Sequence, residues 1–333
     1  MSDNKKESDV VKGNLLKIFG KTSGVIIEDV DDIVYERFPS GSLILDRNLK
    51  GGYVKGSCIE LFGESQSGKT TKAIHAVAEH QKKYPDELVL WLDLEKTFDP
   101  VYFRTIGIDL SSDKFILARP SKGEDVWEAI IDFHKNYGKG IVVLDSVALL
   151  LNEKELEGDV GDAHMAGAAR MNSQGFRKLF PYTKFGGTTF FAINQVRSNI
   201  GGYGSPTTTT GGKAWDFLTR TRVQCSASKG VEGEFAKHKY KLIKATYGKK
   251  DTVSEVNLYY GKGYDKYREV VDLCELYGII QRGGSWYSYQ DTKLGQGGDN
   301  VALMLQDNIE LYEELEGKLL EIFKKEEEEY NAK

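Results

Sequence analysis

Residues 63–70 read GESQSGKT and fill every fixed position of the phosphate-loop pattern G-x-x-x-x-G-K-[ST]. No other stretch constrains the fold as strongly, because such a loop works only between a strand and a helix. Ahead of it, 57–62 (SCIELF) is short and apolar enough for a buried strand. Behind it, Ala73, Ile74, Val77 and Ala78 recur at helical spacing. Loop N–H groups and the positive end of that helix then face one small volume suited to a polyphosphate. Within the loop, Glu64, Ser65, Gln66 and Ser67 supply backbone. Gly63 and Gly68 allow close approach, Lys69 reaches the β- and γ-phosphates, and Thr70, followed by Thr71, offers its hydroxyl to Mg²⁺.

The rest of the chain supplies a sheet for that loop to sit on. Three further apolar runs, 88–92 (LVLWL), 141–144 (IVVL) and 190–193 (FFAI), alternate with helical patterns. This predicts an α/β fold with a mostly parallel central sheet covered on both faces. Each run closes on polar residues: Asp93 and Glu95, Asp145 and Ser146, Asn194 and Gln195. Ligands bind at the carboxyl edge of such sheets, so Glu95, Asp145 and Gln195 are expected to converge on the phosphates. Asp145 suits the Walker B position on Mg²⁺, Glu95 a general base for water, and Gln195 a sensor that carries γ-phosphate status into the loop after it. The Ser121-Lys122-Gly123-Glu124 run reads as a helix capping box.

Composition narrows the class. With 333 residues, 40% of them hydrophobic, there is room for one large α/β domain with smaller additions. A net charge of -5 argues against a uniformly basic nucleic-acid binder, leaving any DNA contact to a local patch. Three cysteines without C-x-x-C spacing indicate neither a disulfide framework nor a cysteine zinc site. The five histidines lack recurrent ligand spacing and read as ordinary surface or helix residues. A polar start without a signal-type apolar core, and no run near membrane-span length, lead us to expect a soluble cytoplasmic protein without membrane contact.

Two Gly-rich stretches interrupt the core: 157–164 (EGDVGDAH), and 197–212, which holds four consecutive threonines before Gly211 and Gly212. Together with 193–197 (INQVR), 271–273 (VDL) and 286–289 (WYSY), they make the chain resemble the RecA family of bacterial-type homologous-recombination proteins, from before the glycine loop nearly to the carboxyl terminus. The resemblance implies an ATP- and Mg²⁺-dependent helical filament on single-stranded DNA. Such a filament pairs the strand with homologous double-stranded DNA and exchanges strands. It assigns adenine contacts to Asp99, Tyr102 and Tyr267, and DNA contacts to Arg170, Arg177, Arg197, Ser198, Asn199, Ile200, Gly211 and Gly212. Ile200 and Met165 suit wedges between bases. Phe217 matches a subunit-interface phenylalanine, and Lys244 the first of two lysines that reach a neighbour's γ-phosphate.

The resemblance also implies an N-terminal oligomerisation arm (1–36), a RecA-type ATPase core (37–269), a C-terminal α+β module (270–323) and an acidic flexible tail (324–333). Several positions depart from the family. Thr246 stands where the second trans lysine is frequent, with Lys249 and Lys250 close by. Ser198-Asn199 replaces a frequent Met-Lys. The departures fit a phage-encoded member. The alternative function is a regulatory or mediator ATPase that binds DNA without strand exchange.

Overall fold

The computed structural model describes residues 10–11, 13–15, 17, 35–159, 165–198, 207–212, 214–229, 231 and 234–331. Of the expected arm, residues 10–11, 13–15 and 17 are helical and 35–36 are described; the remainder lies outside these residues, as do Asn199 and Ile200.

A short antiparallel pair, β1 (Arg37–Phe38) and β2 (Tyr53–Val54), flanks α1 (Leu43–Asn48). The main sheet is built from β3 (Cys58–Gly63), β4 (Val89–Asp93), β5 (Phe115–Ala118), β6 (Ile141–Asp145), β7 (Thr189–Ser198), β8 (Thr207–Thr209), β9 (Thr221–Lys229), β10 (Phe235–Ala245), β11 (Val253–Tyr259) and β12 (Gly263–Tyr264). Its order is β12-β11-β10-β9-β3-β7-β6-β4-β5, with β8 antiparallel on β7. The strands from β9 through β3, β7, β6 and β4 to β5 run parallel, while β9 to β12 form an antiparallel flank.

Strands β3, β4 and β6 are buried along their whole length, which is why they read as continuous apolar runs. Helices α2 (Lys69–Lys83) and α3 (Pro100–Ile106) cover one face, with Ile74, Val77, Trp91 and Phe103 in the core beneath them. Helices α4 (Gly123–Asp132), α6 (Met165–Leu179) and α7 (Ala214–Leu218) cover the other, around Trp127, Phe176 and Trp215; α5 (Glu153–Glu157) precedes α6.

Register makes the site. Gly63 pairs with Gln195, Asp145 with Ile193, and Asp93 with Asp145, so the polar strand ends fall on one edge. Beyond the sheet, α8 (Lys266–Leu276), α9 (Gly298–Asp307) and α10 (Ile309–Asn331) pack with the antiparallel strands β13 (Gln281–Gly283), β14 (Trp286–Tyr289) and β15 (Thr292–Gln296) around a separate core.

Three local expectations are corrected. Helix α4 has Lys122, not Ser121, at its N-cap, with no side-chain cap. Its start is held instead by Gly123 N–H on the Leu151 carbonyl at 2.7 Å, because the turn after β6 packs there. The acidic terminal run is not free: α10 continues helical to Asn331, and Glu326 Oε2 lies 2.7 Å from Arg47 Nε. Of the histidines, His80 and His134 lie on helices as expected, but His238 is buried on strand β10, neither surface nor helical.

Candidate nucleotide site

The loop 63–70 leaves β3 and enters α2 as a tight cradle. Gly68 at the N-cap has φ of 79°, and a Cβ there would lie 2.4 Å from His238 Nδ1, so both conformation and space demand glycine. Gln66 also has positive φ (58°). Lys69 is buried, which lowers its pKa. Its ammonium donates to the carbonyls of Gly63 (3.2 Å) and Glu64 (2.6 Å) and reaches Ser67 Oγ at 3.4 Å. It is a cation held on loop carbonyls with no carboxylate bonded to it, within side-chain reach of whatever the cradle holds.

Facing the loop, Thr70 Oγ1 donates to Asp145 Oδ2 at 3.0 Å. The other oxygen, Asp145 Oδ1, is buried without a hydrogen-bond partner. Burial first, and Glu95 second, push the Asp145 carboxyl up to about 7. A buried carboxylate with an unused lone pair beside a hydroxyl fits a divalent cation that takes its remaining ligands from water and phosphate. Among the described residues no group of three or more His, Cys, Asp or Glu side chains is placed to hold a metal ion alone.

Glu95 and Gln195 meet across the edge: Gln195 Nε2 donates to Glu95 Oε1 at 3.1 Å. By contrast Asp93, two residues earlier, is committed to the Arg119 guanidinium at 3.0 Å and to Thr97 N–H at 3.1 Å, leaving Glu95 as the available carboxylate. Both Glu95 and Gln195 line a cleft of about 540 Å³ with the loop residues Ser65, Gln66, Ser67, Gly68, Lys69, Thr70 and Thr71.

The remaining residues divide. Tyr102 Oη lies 3.2 Å from Thr71 Oγ1, and Asp99 caps α3 by accepting from Val101 N–H at 2.8 Å. Tyr267, like Asp99 and Tyr102, lies outside the residues that line the cleft; its ring packs on Tyr312 at 4.9 Å, against the C-terminal core. The cleft wall is instead completed by His238, Leu258 and Tyr260 from the antiparallel flank. Sequence reading passed over these residues because strand alternation places them without reference to the loop; the Tyr260-Gly261 turn was the available signal. Lys244 also lies off the cleft, donating to the Asp216 and Phe217 carbonyls of α7 at 2.8 and 3.2 Å, beside an exposed Phe217 side chain.

Behind Gln195 the described end of the second Gly-rich segment meets α6, the helix that follows the first. Arg197 pairs in register with Thr208, and Arg170 and Arg177 are exposed on α6. A Cβ on Gly211 would meet Asn172 Nδ2 at 2.6 Å, and one on Gly212 would meet Ala169 at 3.1 Å, so the loop end lies tight on α6. Asn194 Nδ2 donates to Glu60 at 2.8 Å and to the Thr210 carbonyl at 3.0 Å, fastening that loop end to the core strand. Met165 and Ser198 belong to α6 and β7.

A strand-loop-helix cradle at the carboxyl edge of a parallel sheet, with a buried aspartate that keeps one unpartnered oxygen beside it, defines a phosphate-loop nucleotide-binding protein. The family follows from comparison. Residues 7–265 match the RecA N-terminal domain and 268–324 the RecA C-terminal domain. Relatives named Protein RecA include those of Macrococcus caseolyticus (37% identical, covering 96% of this chain and 91% of the relative) and Lactobacillus johnsonii (36%, 96% and 90%). That of Bacillus pumilus is 36% identical over 93% of this chain and 90% of the relative. The chain belongs to the RecA family of recombinases, an ATPase family. Nothing favours the regulatory or mediator alternative. Among the described residues, no helix is long and apolar enough to cross a membrane.

Proposed function

We propose that the chain is a DNA-dependent ATPase of the cytoplasm that assembles as a helical filament on single-stranded DNA, pairs it with homologous duplex and exchanges strands. The observation that carries this reading is the Gln195 Nε2 to Glu95 Oε1 hydrogen bond at 3.1 Å, because β7 carries Gln195 directly into the Arg197 and Thr207–Thr209 segment. A change at the γ-phosphate that moves Gln195 is passed along one strand to the proposed DNA loop.

In this scheme Lys69 leaves the Gly63 and Glu64 carbonyls for the β- and γ-phosphates, while the loop amides hold the remaining oxygens. Thr70 and Asp145 hold Mg²⁺, which when bound neutralises phosphate charge. Glu95 takes a proton from the attacking water, with Gln195 orienting its carboxylate. Asp99, Tyr102 and Tyr267 are proposed to receive the base, with Tyr260 on the cleft wall beside the loop. Arg170, Arg177 and Arg197 supply local phosphate contacts on an acidic protein, and the packed glycines Gly211 and Gly212 bring backbone N–H groups to the strand. Met165, Ser198, Asn199 and Ile200 stay assigned to the DNA contact. Lys244 and Phe217 share one exposed edge, as a subunit-facing pair would.

The test is ATP hydrolysis with and without single-stranded DNA, run beside Glu95→Gln. We expect strong DNA stimulation and a drop of about 100-fold or more in the variant, with ATP-dependent DNA binding retained. Turnover indifferent to DNA would sink this reading in favour of a nucleotide switch.

A further inference from the structure

We propose that His238 is a positioning residue of the nucleotide site, clamping the phosphate loop from the antiparallel flank in a way the bound nucleotide does not displace. The inference rests on the nucleotide reading above and adds to it a residue on β10, on the far side of the loop from Asp145.

His238 is buried, and its Nδ1 lies 3.1 Å from the Ser67 carbonyl oxygen. A carbonyl only accepts, so Nδ1 carries the proton and the tautomer is fixed. Burial lowers the imidazole pKa, opposed by this hydrogen bond, so the ring is neutral near pH 7 and still donates. The ring also lies against Gly68: a Cβ built there would come within 2.4 Å of Nδ1 and 2.6 Å of Cε1. One side chain therefore fixes the carbonyl before Gly68 and occupies the space over it.

Among the described residues three side chains, Lys69, Thr70 and His238, hydrogen-bond to or from the loop, and two of them must change partners. Lys69 bonds the Gly63 and Glu64 carbonyls, which it leaves to reach a phosphate. Thr70 bonds Asp145, a contact that would give way if these two side chains held a cation. The His238 to Ser67 bond involves neither group. When the site fills, it is the contact that keeps the amide cradle in shape, and a preformed cradle is what lets loop N–H groups bind an anion without reorganising. Strand β10 can hold it there because its register is pinned on both sides, His238 pairing with Ala227 and Val256.

The full-length protein is titrated with a fluorescent ADP analogue and Mg²⁺, and ATP hydrolysis is followed in parallel. His238→Phe keeps an aromatic ring over Gly68 and removes the donor. His238→Asn removes the ring and keeps a donor near the Nδ1 position. We expect His238→Phe to weaken nucleotide binding about 3- to 10-fold, raising KM while kcat stays within about twofold, and His238→Asn to restore most of the affinity. If His238→Phe does not fold, as judged by thermal unfolding without nucleotide, His238→Gln takes its place, since its amide extends past the Nδ1 position. Wild-type affinity in the donor-less variant, or equal weakness in His238→Asn, overturns the inference. Lys69→Ala is the control: a wild-type protein that does not bind ADP, or binding indifferent to Lys69→Ala, refutes the nucleotide reading instead.

Discussion

Helix α2 carries two lysines three residues apart whose surroundings are opposite in kind. Lys69, on the cleft side, is held on loop carbonyls, and the Asp145 facing its end of the helix has one buried oxygen without a partner. Lys72, on the core side, is fully buried. Its ammonium donates to the Ser40 carbonyl at 2.9 Å and sits 5.0 and 5.4 Å from the ring centroids of Tyr264 and Tyr240. Asp46 and Glu269 supply negative charge around it. Glu269 in turn accepts from Ser42 Oγ at 2.6 Å and from the N–H groups of Leu43 and Ile44, so an α8 carboxylate caps α1. Charge on the core side is satisfied within the protein and joins the ATPase helix to the C-terminal module. Charge on the cleft side is left available, which is what a ligand site requires.

The largest effect expected from breaking this contrast is Lys69→Ala. Turnover should fall by about 10²-fold or more, as for loss of a transition-state cation, while the unfolding free energy without nucleotide moves by less than about 1 kcal/mol. An unfolded variant would mean that Lys69 serves the fold.

Lys72→Met should do the reverse. Removing the cation between two carboxylates costs about 3 kcal/mol by urea unfolding, with kcat less affected than stability. Unchanged stability would show that the aromatic rings alone hold the cluster.

The pH dependence follows from Asp46. Burial raises its carboxyl from 3.8 to about 7, partly offset by Lys72 and by the Ser40 hydrogen bonds, with Glu269 acting in the same direction as burial. Across that window the folded chain keeps a proton that the unfolded chain has lost, so stability falls as pH rises from about 4 to about 7. Lys72, lowered to about 8 by burial, is protonated in both states over most of that range. Urea midpoints at pH 5 and pH 7.5 should differ less in Asp46→Asn than in the wild type; equal slopes would count against the assignment.

The smallest effect concerns the terminal helix. Arg47 and Glu326 are each about a quarter to a third exposed, so Arg47→Ala should cost about 0.2–1 kcal/mol, shrinking further at high salt.

Much of the nucleotide site was legible in the sequence because its parts are local. A glycine loop announces its strand and helix through spacing, and strand ends such as Asp145 and Gln195 are marked by the break in an apolar run. What failed was whatever depended on a partner distant in sequence. The resemblance assigns Tyr267 to the adenine, but that its ring packs on Tyr312 and that Tyr260 lines the cleft could not be read from the sequence. Ser121 has the chemistry of a cap, yet the Leu151 carbonyl decides where the helix begins. His238 carried no motif at all; only the pairing of β10 beside β9 sets it on Ser67.

The sequence by itself determined the phosphate cradle, the mostly parallel sheet of buried strands and the resemblance to the RecA family, since spacing, motifs and apolar periodicity are properties of neighbouring residues. The tertiary structure decided what the neighbouring groups meet: Asp93 is taken by Arg119, Lys72 by the Ser40 carbonyl, and His238 is set on Ser67. The reason is physical: a side chain's availability depends on what other strands and helices bring to it, and those contacts span long separations in the chain.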